Sequence, residues 1–285
     1  MPQRTTELIA RLGYAARGVV YLLVGGLALV AAFGGGKAVG TKGALAGLLS
    51  QPLGFVLLGI IAAGLLCFAA WRLAQALLDA DHLGDDAKAL RHRAARFGGA
   101  IISLGLAASA VSLIFGSSSG SDDGAARDWT AYVLSAPFGR WLVGLIGLGI
   151  AAAGIRFAVK GWTKRFEDGL ELDARACAWV VPLGRFGYIA RGVLFVIVGG
   201  FLISAAVHVN AREAKGLAGA LQVLEQQPYG WILLAAAAAG LFSFGLFMLA
   251  VARYRRIDAP RAGDAGHKLE EQGRKAVASG KRALS

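Results

Sequence analysis

A repeated motif constrains the fold of this chain more than any other feature. The segment Arg11-Leu-Gly-Tyr-Ala-Ala-Arg-Gly returns later as Arg185-Phe-Gly-Tyr-Ile-Ala-Arg-Gly. A degenerate copy, Arg96-Phe-Gly-Gly-Ala-Ile-Ile-Ser, lies about halfway between them. Internal repeats of this kind are typical of membrane proteins built from duplicated units.

A second motif follows each copy of the first, and the two together define the repeating unit. It reads Pro52-Leu-Gly54, Pro137-Phe-Gly139 and Pro228-Tyr-Gly230. Because Pro is well tolerated in the first turn of a helix, each copy is expected to mark a helix start. The predicted units span residues 1–80, 81–165 and 166–258, followed by a basic tail at 259–285.

Each unit contains two apolar runs long enough to cross a bilayer as a helix, which takes about 20 residues. Hydrophobic residues make up 56% of the chain, and the mean hydropathy is +0.57. This composition indicates an all-α membrane protein. The six predicted transmembrane helices cover roughly 14–33, 54–78, 97–115, 138–159, 187–207 and 230–252.

The distribution of basic residues predicts the orientation. Of the 30 Lys and Arg residues, 24 lie on the side that holds the N-terminus, the second and fourth connections and the C-terminal tail. The positive-inside rule then places both termini in the cytoplasm. The membrane also accounts for the net charge of +12, so nucleic acid is not an expected partner.

Short amphipathic stretches precede the three Pro motifs and predict short helices in the outer interface. Since each unit has two spans, all three units share one orientation. We therefore expect pseudo-threefold symmetry about the membrane normal, as in parallel repeats.

The opening motif, the Pro-x-Gly motif and the helix end Trp71-Arg72-Leu-Ala-Gln75 together resemble a known family. It is the bacterial membrane family catalogued as domain of unknown function DUF1206, whose members carry three tandem two-helix repeats. The resemblance covers nearly all of residues 8–258. It implies a multi-pass protein of the bacterial inner (plasma) membrane and implies no catalytic activity.

Paired Tyr and Arg residues in the opening motif form the candidate site. On a helix these residues share a face, and the middle unit has Gly99 and Ile102 in their place. One interpretation is a cationic site at the cytoplasmic membrane edge for lipid phosphate or an anionic ligand. The alternative is that Arg extends to the headgroups while Tyr anchors the helix. The site residues are Tyr14, Arg17, Tyr188 and Arg191.

Other residues are assigned to anchoring and packing. Aromatic and basic residues at the cytoplasmic helix ends are predicted interfacial anchors, namely Trp71, Arg72 and Arg156. Small residues let membrane helices approach closely. The predicted packing glycines are Gly18, Gly25, Gly192 and Gly199.

Enzymatic and ion-coupled functions find no support in the sequence. No Asp or Glu lies in the central part of a span, where coupled transporters usually keep a carboxylate. No catalytic, cofactor-binding or metal-binding motif is present, and the acidic segment 79–86 is best interpreted as a solvated turn. The basic tail either lies on anionic lipid or is disordered.

The sequence therefore favours a non-enzymatic integral membrane protein without cofactors. It would act as a lipid-binding scaffold or as an accessory subunit of a membrane complex. The expected partners are membrane lipids, preferentially anionic ones on the cytoplasmic side, with a possible protein partner within the membrane. The alternative is a channel or facilitator for a small neutral or anionic solute along the pseudo-threefold axis.

Overall fold

The fold was examined in a computed structural model that describes residues 3–34, 38–77, 87–116, 120–164, 166–167, 170 and 173–254. Within these ranges the chain is helical and contains no strand. The helices are α1 (Gln3–Ala32), α2 (Thr41–Leu49), α3 (Gly54–Leu77), α4 (Ala87–Ile114), α5 (Asp122–Leu134), α6 (Gly139–Trp162), α7 (Ala174–Val207), α8 (Leu217–Glu225) and α9 (Gly230–Tyr254). A short 3-10 turn, Ala211–Glu213, precedes α8.

The six predicted membrane spans are confirmed by six helices of sufficient length and apolarity, α1, α3, α4, α6, α7 and α9. Three of them, α1, α4 and α7, begin about ten residues or more before the predicted starts. Helix α7 begins at Ala174, where the side chain of Asp173 caps the helix by accepting from the Ala176 N–H at 2.7 Å. Helix α4 likewise takes up much of the predicted second connection, from Ala87 onward.

The Pro-x-Gly motif has a different role from the one predicted. The second membrane helix of each unit begins at the Gly, so the Pro lies in the preceding turn and not in the first helical turn. The middle residue adopts a left-handed backbone conformation, with φ of 63°, 62° and 59° at Leu53, Phe138 and Tyr229. A side chain on the Gly would collide with a carbonyl of the short helix just before it. The motif is therefore a tight joint between short and long helices.

The helices pack in a cyclic order that is interrupted once. The first membrane helix of each unit packs against the second membrane helix of the preceding unit, giving the pairs α3–α4, α6–α7 and α9–α1. Within the first and third units, α1 packs on α3 and α7 packs on α9. In the described part of the chain, α4 and α6 of the middle unit make no comparable contact. The pseudo-threefold axis itself stays a prediction.

Arginines also join neighbouring units at the helix ends where basic residues are concentrated. Arg11 on α1 donates to the carbonyls of Ala252 and Arg253, at 2.9 and 2.6 Å, at the end of α9. Arg93 on α4 donates to the carbonyl of Ala76 at 2.7 Å, near the end of α3. These bonds satisfy helix C-terminal carbonyls that would otherwise lack partners.

The opposite half of the molecule contains a dry apolar core. One cluster of buried side chains joins α1, α3, α4, α7 and α9 beneath the short helices α2 and α8. Its members include Val24, Leu58, Leu194 and Leu234, all fully buried. This core leaves the other half of the helices to build the candidate site.

Candidate anionic-ligand site

The four predicted packing glycines lie at the helix crossings that position the site. A Cβ on Gly25 of α1 would lie 2.5 Å from the backbone nitrogen of Phe242 on α9, and one on Gly18 would lie 3.0 Å from the Gly245 carbonyl oxygen. On α7, a Cβ on Gly192 or Gly199 would lie within 2.7 Å of backbone atoms of α6. Such approaches require the absence of a side chain, so glycine sets the spacing of α1, α9, α7 and α6.

Arg191 lies inside this arrangement in a cage of aromatic rings. Its side chain projects from α7, and the residue is only 8% exposed. The guanidinium carbon lies 4.6–5.3 Å from four ring centroids, which belong to α1, α6, α7 and α9. The rings are those of Tyr21, Phe157, Phe195 and Phe244. Faces of aromatic rings attract a cation, most strongly where water is excluded.

Arg17 lies next to this cage, so the structure brings together the arginines of the first and third units. Its guanidinium carbon is 5.9 Å from the centroid of the Tyr21 ring, which Arg191 also contacts. Arg17 lies 4.8 Å from the centroid of the Phe68 ring, and Arg72 approaches the same ring at 5.0 Å. Three arginines thus share one aromatic cluster.

The two tyrosines of the motif pack inside the protein. Tyr14 is 2% exposed and meets Phe68 edge-on at 5.4 Å between centroids. Tyr188 stacks on Phe166 at 5.3 Å and meets Phe244 edge-on at 5.2 Å. They therefore build the walls of the arginine site, which is a different role from anchoring a helix at the lipid interface.

No carboxylate accompanies the arginine pair within the described residues. The ion pairs seen there include those of Arg11 with Glu7 and of His208 with Glu213, and these involve neither Arg17 nor Arg191. The Nε atom of Arg191 is buried without a hydrogen-bond partner. Burying an ion costs several kcal/mol unless it is paired, and a second and third guanidinium nearby add repulsion. The arrangement is therefore chemically suited to an anion.

The three predicted interfacial anchors occupy different environments. Trp71 is 4% exposed and packs in the core with Tyr14 and Phe68, so the anchor interpretation of this residue is wrong. An anchor must present its ring to the headgroups, and a buried ring cannot do so. Arg72 is half-buried over Phe68, whereas Arg156 is exposed.

The opposite ends of the helices carry a polar cluster that the sequence did not predict. Asp123 of α5 accepts from the backbone N–H groups of Gly216 and Gly219 at 2.8 and 3.0 Å, at the start of α8. Asp122 accepts from the Lys42 N–H at 3.1 Å, at the start of α2. Burial raises the pKa of the Asp122 carboxyl. The middle unit thus caps the short helices of the other two units.

A second polar group lies at the end of α7. His208 Nδ1 lies 2.8 Å from Glu213 Oε2, which also accepts from the Ser204 hydroxyl. These bonds lower the pKa of the Glu213 carboxyl, with the Ser204 bond contributing most. Ser204 and His208 both approach the same carboxylate oxygen, so the group links the end of α7 to the 3-10 turn. In a catalytic triad the His would instead lie between the Ser and the carboxylate.

Sequence reasoning missed the aromatic residues that enclose the arginines. One signal was available. A glycine recurs ten residues after the Pro-x-Gly motif, at Gly64 and Gly240, and Phe68 and Phe244 each follow it by four residues. The middle unit has Ala153 at that position. The acidic segment 79–86 and the basic tail 259–285 lie outside the described residues.

Comparison with known proteins identifies relatives for almost the whole chain. A sequence model of the family described as Domain of Unknown Function (DUF1206) matches three times, at residues 12–79, 95–164 and 186–255. A protein of Bacillus subtilis (strain 168), named Uncharacterized protein YxxB, is 34% identical over 250 residues, which cover 87% of this chain and 90% of the relative. No solved structure matches the chain. The resemblance inferred from the motifs is confirmed.

Proposed function

This chain belongs to the DUF1206 family, and we propose that it is a non-enzymatic protein of the bacterial inner membrane that binds an anionic lipid. The bound lipid phosphate would lie between Arg17 and Arg191. In the membrane the protein would serve as a lipid-binding scaffold or as an accessory subunit of a larger complex.

The observation that carries this proposal is the unpaired burial of Arg191. A guanidinium that is 8% exposed, with its Nε lacking a hydrogen-bond partner, gains most from a bound anion. Arg17 lies on the shared Tyr21 ring and supplies a second positive charge. A phosphate is the anion that a membrane presents most abundantly near a helix end.

The depth of the two arginines agrees with a lipid headgroup. Arg17 lies 15 residues before the end of α1, and Arg191 lies 16 residues before the end of α7. At 1.5 Å per residue, these separations are about 22 and 24 Å. The hydrocarbon core is about 30 Å thick, so with one boundary at these helix ends the opposite boundary would lie about 6–8 Å beyond both side chains.

The alternative of a channel along the axis receives less support. The apolar cluster beneath α2 and α8 fills the half of the molecule opposite the arginines. Two serines of α4 that could line a polar path already have partners: Ser103 donates to the Gly99 carbonyl and Ser109 to the Gly105 carbonyl, at 2.8 and 2.9 Å. A continuous water-filled path would need polar groups directed to the axis.

We assign the arginine end to the cytoplasm from the excess of basic residues on that side. Alkaline phosphatase fused after residue 120 or 212 should be active, and fused after residue 88 or 170 it should be inactive. The reverse pattern would contradict this orientation, because the enzyme is active only outside the cytoplasm.

The lipid proposal is tested with the double variant Arg17→Gln, Arg191→Gln. We expect less co-purifying anionic lipid by native mass spectrometry, with the protein still folded. Arg156→Gln is the matched control, since it removes an exposed positive charge at the same end of the molecule. Equal lipid retention in the wild type, the double variant and the control would refute the proposal.

A further inference from the structure

The middle unit leaves an opening between its two membrane helices. In the other units these helices interlock: a Cβ on Gly13 of α1 would lie 2.7 Å from the Phe68 Cα, and one on Gly187 of α7 would lie 2.6 Å from the Phe244 Cα. The equivalent residue of α4 is Gly98, and nothing lies within 4 Å of a Cβ placed there. Helices α4 and α6 therefore do not pack on each other as the corresponding helices of the other units do, and we call the space between their uncovered faces the cleft.

The residues of the middle unit explain why the cleft is open. Phe68 and Phe244 are each 1% exposed and fill the corresponding interfaces, whereas Ala153 brings no ring. On α4, Ile101 is 54% exposed although its position is an interface position in the other units. Gly105, one turn further, also has nothing within 4 Å of a Cβ.

One face of α6 links the cleft to the caged arginine. Gly149, Ala153 and Phe157 follow one another at steps of four along α6 and so share a face. Gly149 has nothing within 4 Å of a Cβ. At the other end of this face, the Arg191 guanidinium carbon lies 4.6 Å from the Phe157 ring centroid. This face of α6 thus runs from an uncovered apolar surface at Gly149 to a ring that contacts a buried cation whose Nε has no partner.

We propose that the cleft between α4 and α6 holds an acyl chain of an anionic phospholipid. This inference rests on the proposed function, because the phosphate of the same lipid is bound by Arg17 and Arg191. The middle unit, which lacks the Tyr and Arg of the motif, then admits the lipid from the side and binds its acyl chain. The first and third units provide the positive charge.

A phospholipid fits these features better than a protein helix does. A helix from a partner or from a second copy could also pack on exposed glycines. To neutralise Arg191, however, it would have to bring an acidic side chain to membrane depth, where such residues are rare and costly. A phospholipid carries the anion and the apolar chain in one molecule and is present throughout the membrane.

Filling the cleft tests the proposal. The variant Gly98→Leu, Gly149→Leu places side chains where the structure has room, so the fold should persist. The matched control is Gly59→Leu, Gly200→Leu, since these glycines of α3 and α7 also have nothing within 4 Å of a Cβ. Binding of fluorescent phosphatidylglycerol to the detergent-solubilised protein should weaken about tenfold in the cleft variant, equivalent to about 1.4 kcal/mol, and should not change in the control.

The possible results separate this inference from the proposed function. If Arg17→Gln, Arg191→Gln weakens binding but the filled cleft does not, the cleft proposal is wrong and the arginine site stands. If the arginine variant binds as the wild type does, the proposed function is wrong, and the cleft proposal is wrong with it.

A crosslinking experiment identifies the occupant directly. Phosphatidylglycerol with a photoreactive chain should label residues of α4 and α6 in liposomes, and the label should decrease in the filled-cleft variant. Cys67→Ala and Cys177→Ala remove the two free native thiols. In that background Ile101→Cys should stay monomeric under oxidation, because a lipid chain and not a second protein copy would cover this residue. A disulfide-linked dimer through this residue would assign the cleft to a second copy of the chain and overturn the proposal.

Discussion

Replacing Arg191 should separate ligand binding from folding. Each of its four ring contacts is worth about 0.5–2 kcal/mol, so together they contribute roughly 2–8 kcal/mol. Desolvation of the guanidinium costs several kcal/mol and opposes this gain. We therefore expect Arg191→Met to change the free energy of unfolding of the lipid-depleted protein by less than about 2 kcal/mol.

Binding should respond much more strongly than stability. A hydrogen bond to a charged group contributes about 1.5–3 kcal/mol, so Arg191→Met should weaken binding of an anionic lipid about 10- to 150-fold. Arg191→Lys keeps the charge but loses the planar stacking on the rings, and an intermediate affinity is expected.

The assay is titration of detergent-solubilised protein with fluorescent phosphatidylglycerol, and unfolding of the same lipid-depleted samples in mixed micelles. Arg156→Met serves as the control because that residue is exposed. Unchanged lipid affinity in Arg191→Met, combined with destabilisation well above 2 kcal/mol, would refute this reasoning and make Arg191 a purely structural residue.

Three further predictions concern the framework around the site. Gly25→Ala places a methyl group 2.5 Å from a backbone nitrogen of α9, so thermal melting should show destabilisation by about 1–3 kcal/mol, while Gly200→Ala, which has open space, should melt as the wild type does. Asp123→Ala removes two N-terminal bonds of α8 and should cost about 1–2 kcal/mol, whereas the exposed Asp128→Ala should be neutral in the same assay. Because the folded-state pKa of Asp122 is raised, the folded state binds this proton more readily than the unfolded state does, and this residue's contribution to stability falls as pH rises above the ordinary carboxyl pKa of 3.8. Asp122→Asn should flatten that part of the unfolding-against-pH curve, and an unaltered slope would contradict the assignment.

The six spans were predictable because hydropathy and length determine which segments can cross a bilayer. The start of α7 was less accessible, because Pro182 lies inside the helix and the Asp173 cap sets the start eight residues earlier than that proline. The Pro-x-Gly joint was misread because Pro is compatible both with a first helical turn and with the turn before it.

The candidate site was predictable only in part. Repetition of the motif identified Arg17 and Arg191, but three of the four rings that cage Arg191 come from other helices, α1, α6 and α9. Which helices become neighbours depends on their order in the bundle. Trp71 was misassigned because lipid-facing and core-facing positions of a membrane helix are equally apolar.

The opening between α4 and α6 could not be derived from the motifs alone. The loss of Tyr and Arg from the middle unit was evident in the sequence. The consequence for packing depends on Ala153 replacing a ring that the other units insert between their helices. Only the arrangement of the helices shows that this replacement leaves space.

The most direct test of the account is an experimental structure of the protein in nanodiscs that contain phosphatidylglycerol. The account predicts lipid density with a phosphate within hydrogen-bonding distance of the Arg17 and Arg191 guanidinium groups. An acyl chain should extend from it between α4 and α6. A carboxylate of the protein in contact with Arg191, or a closed α4–α6 interface with no lipid at the arginines, would contradict the account.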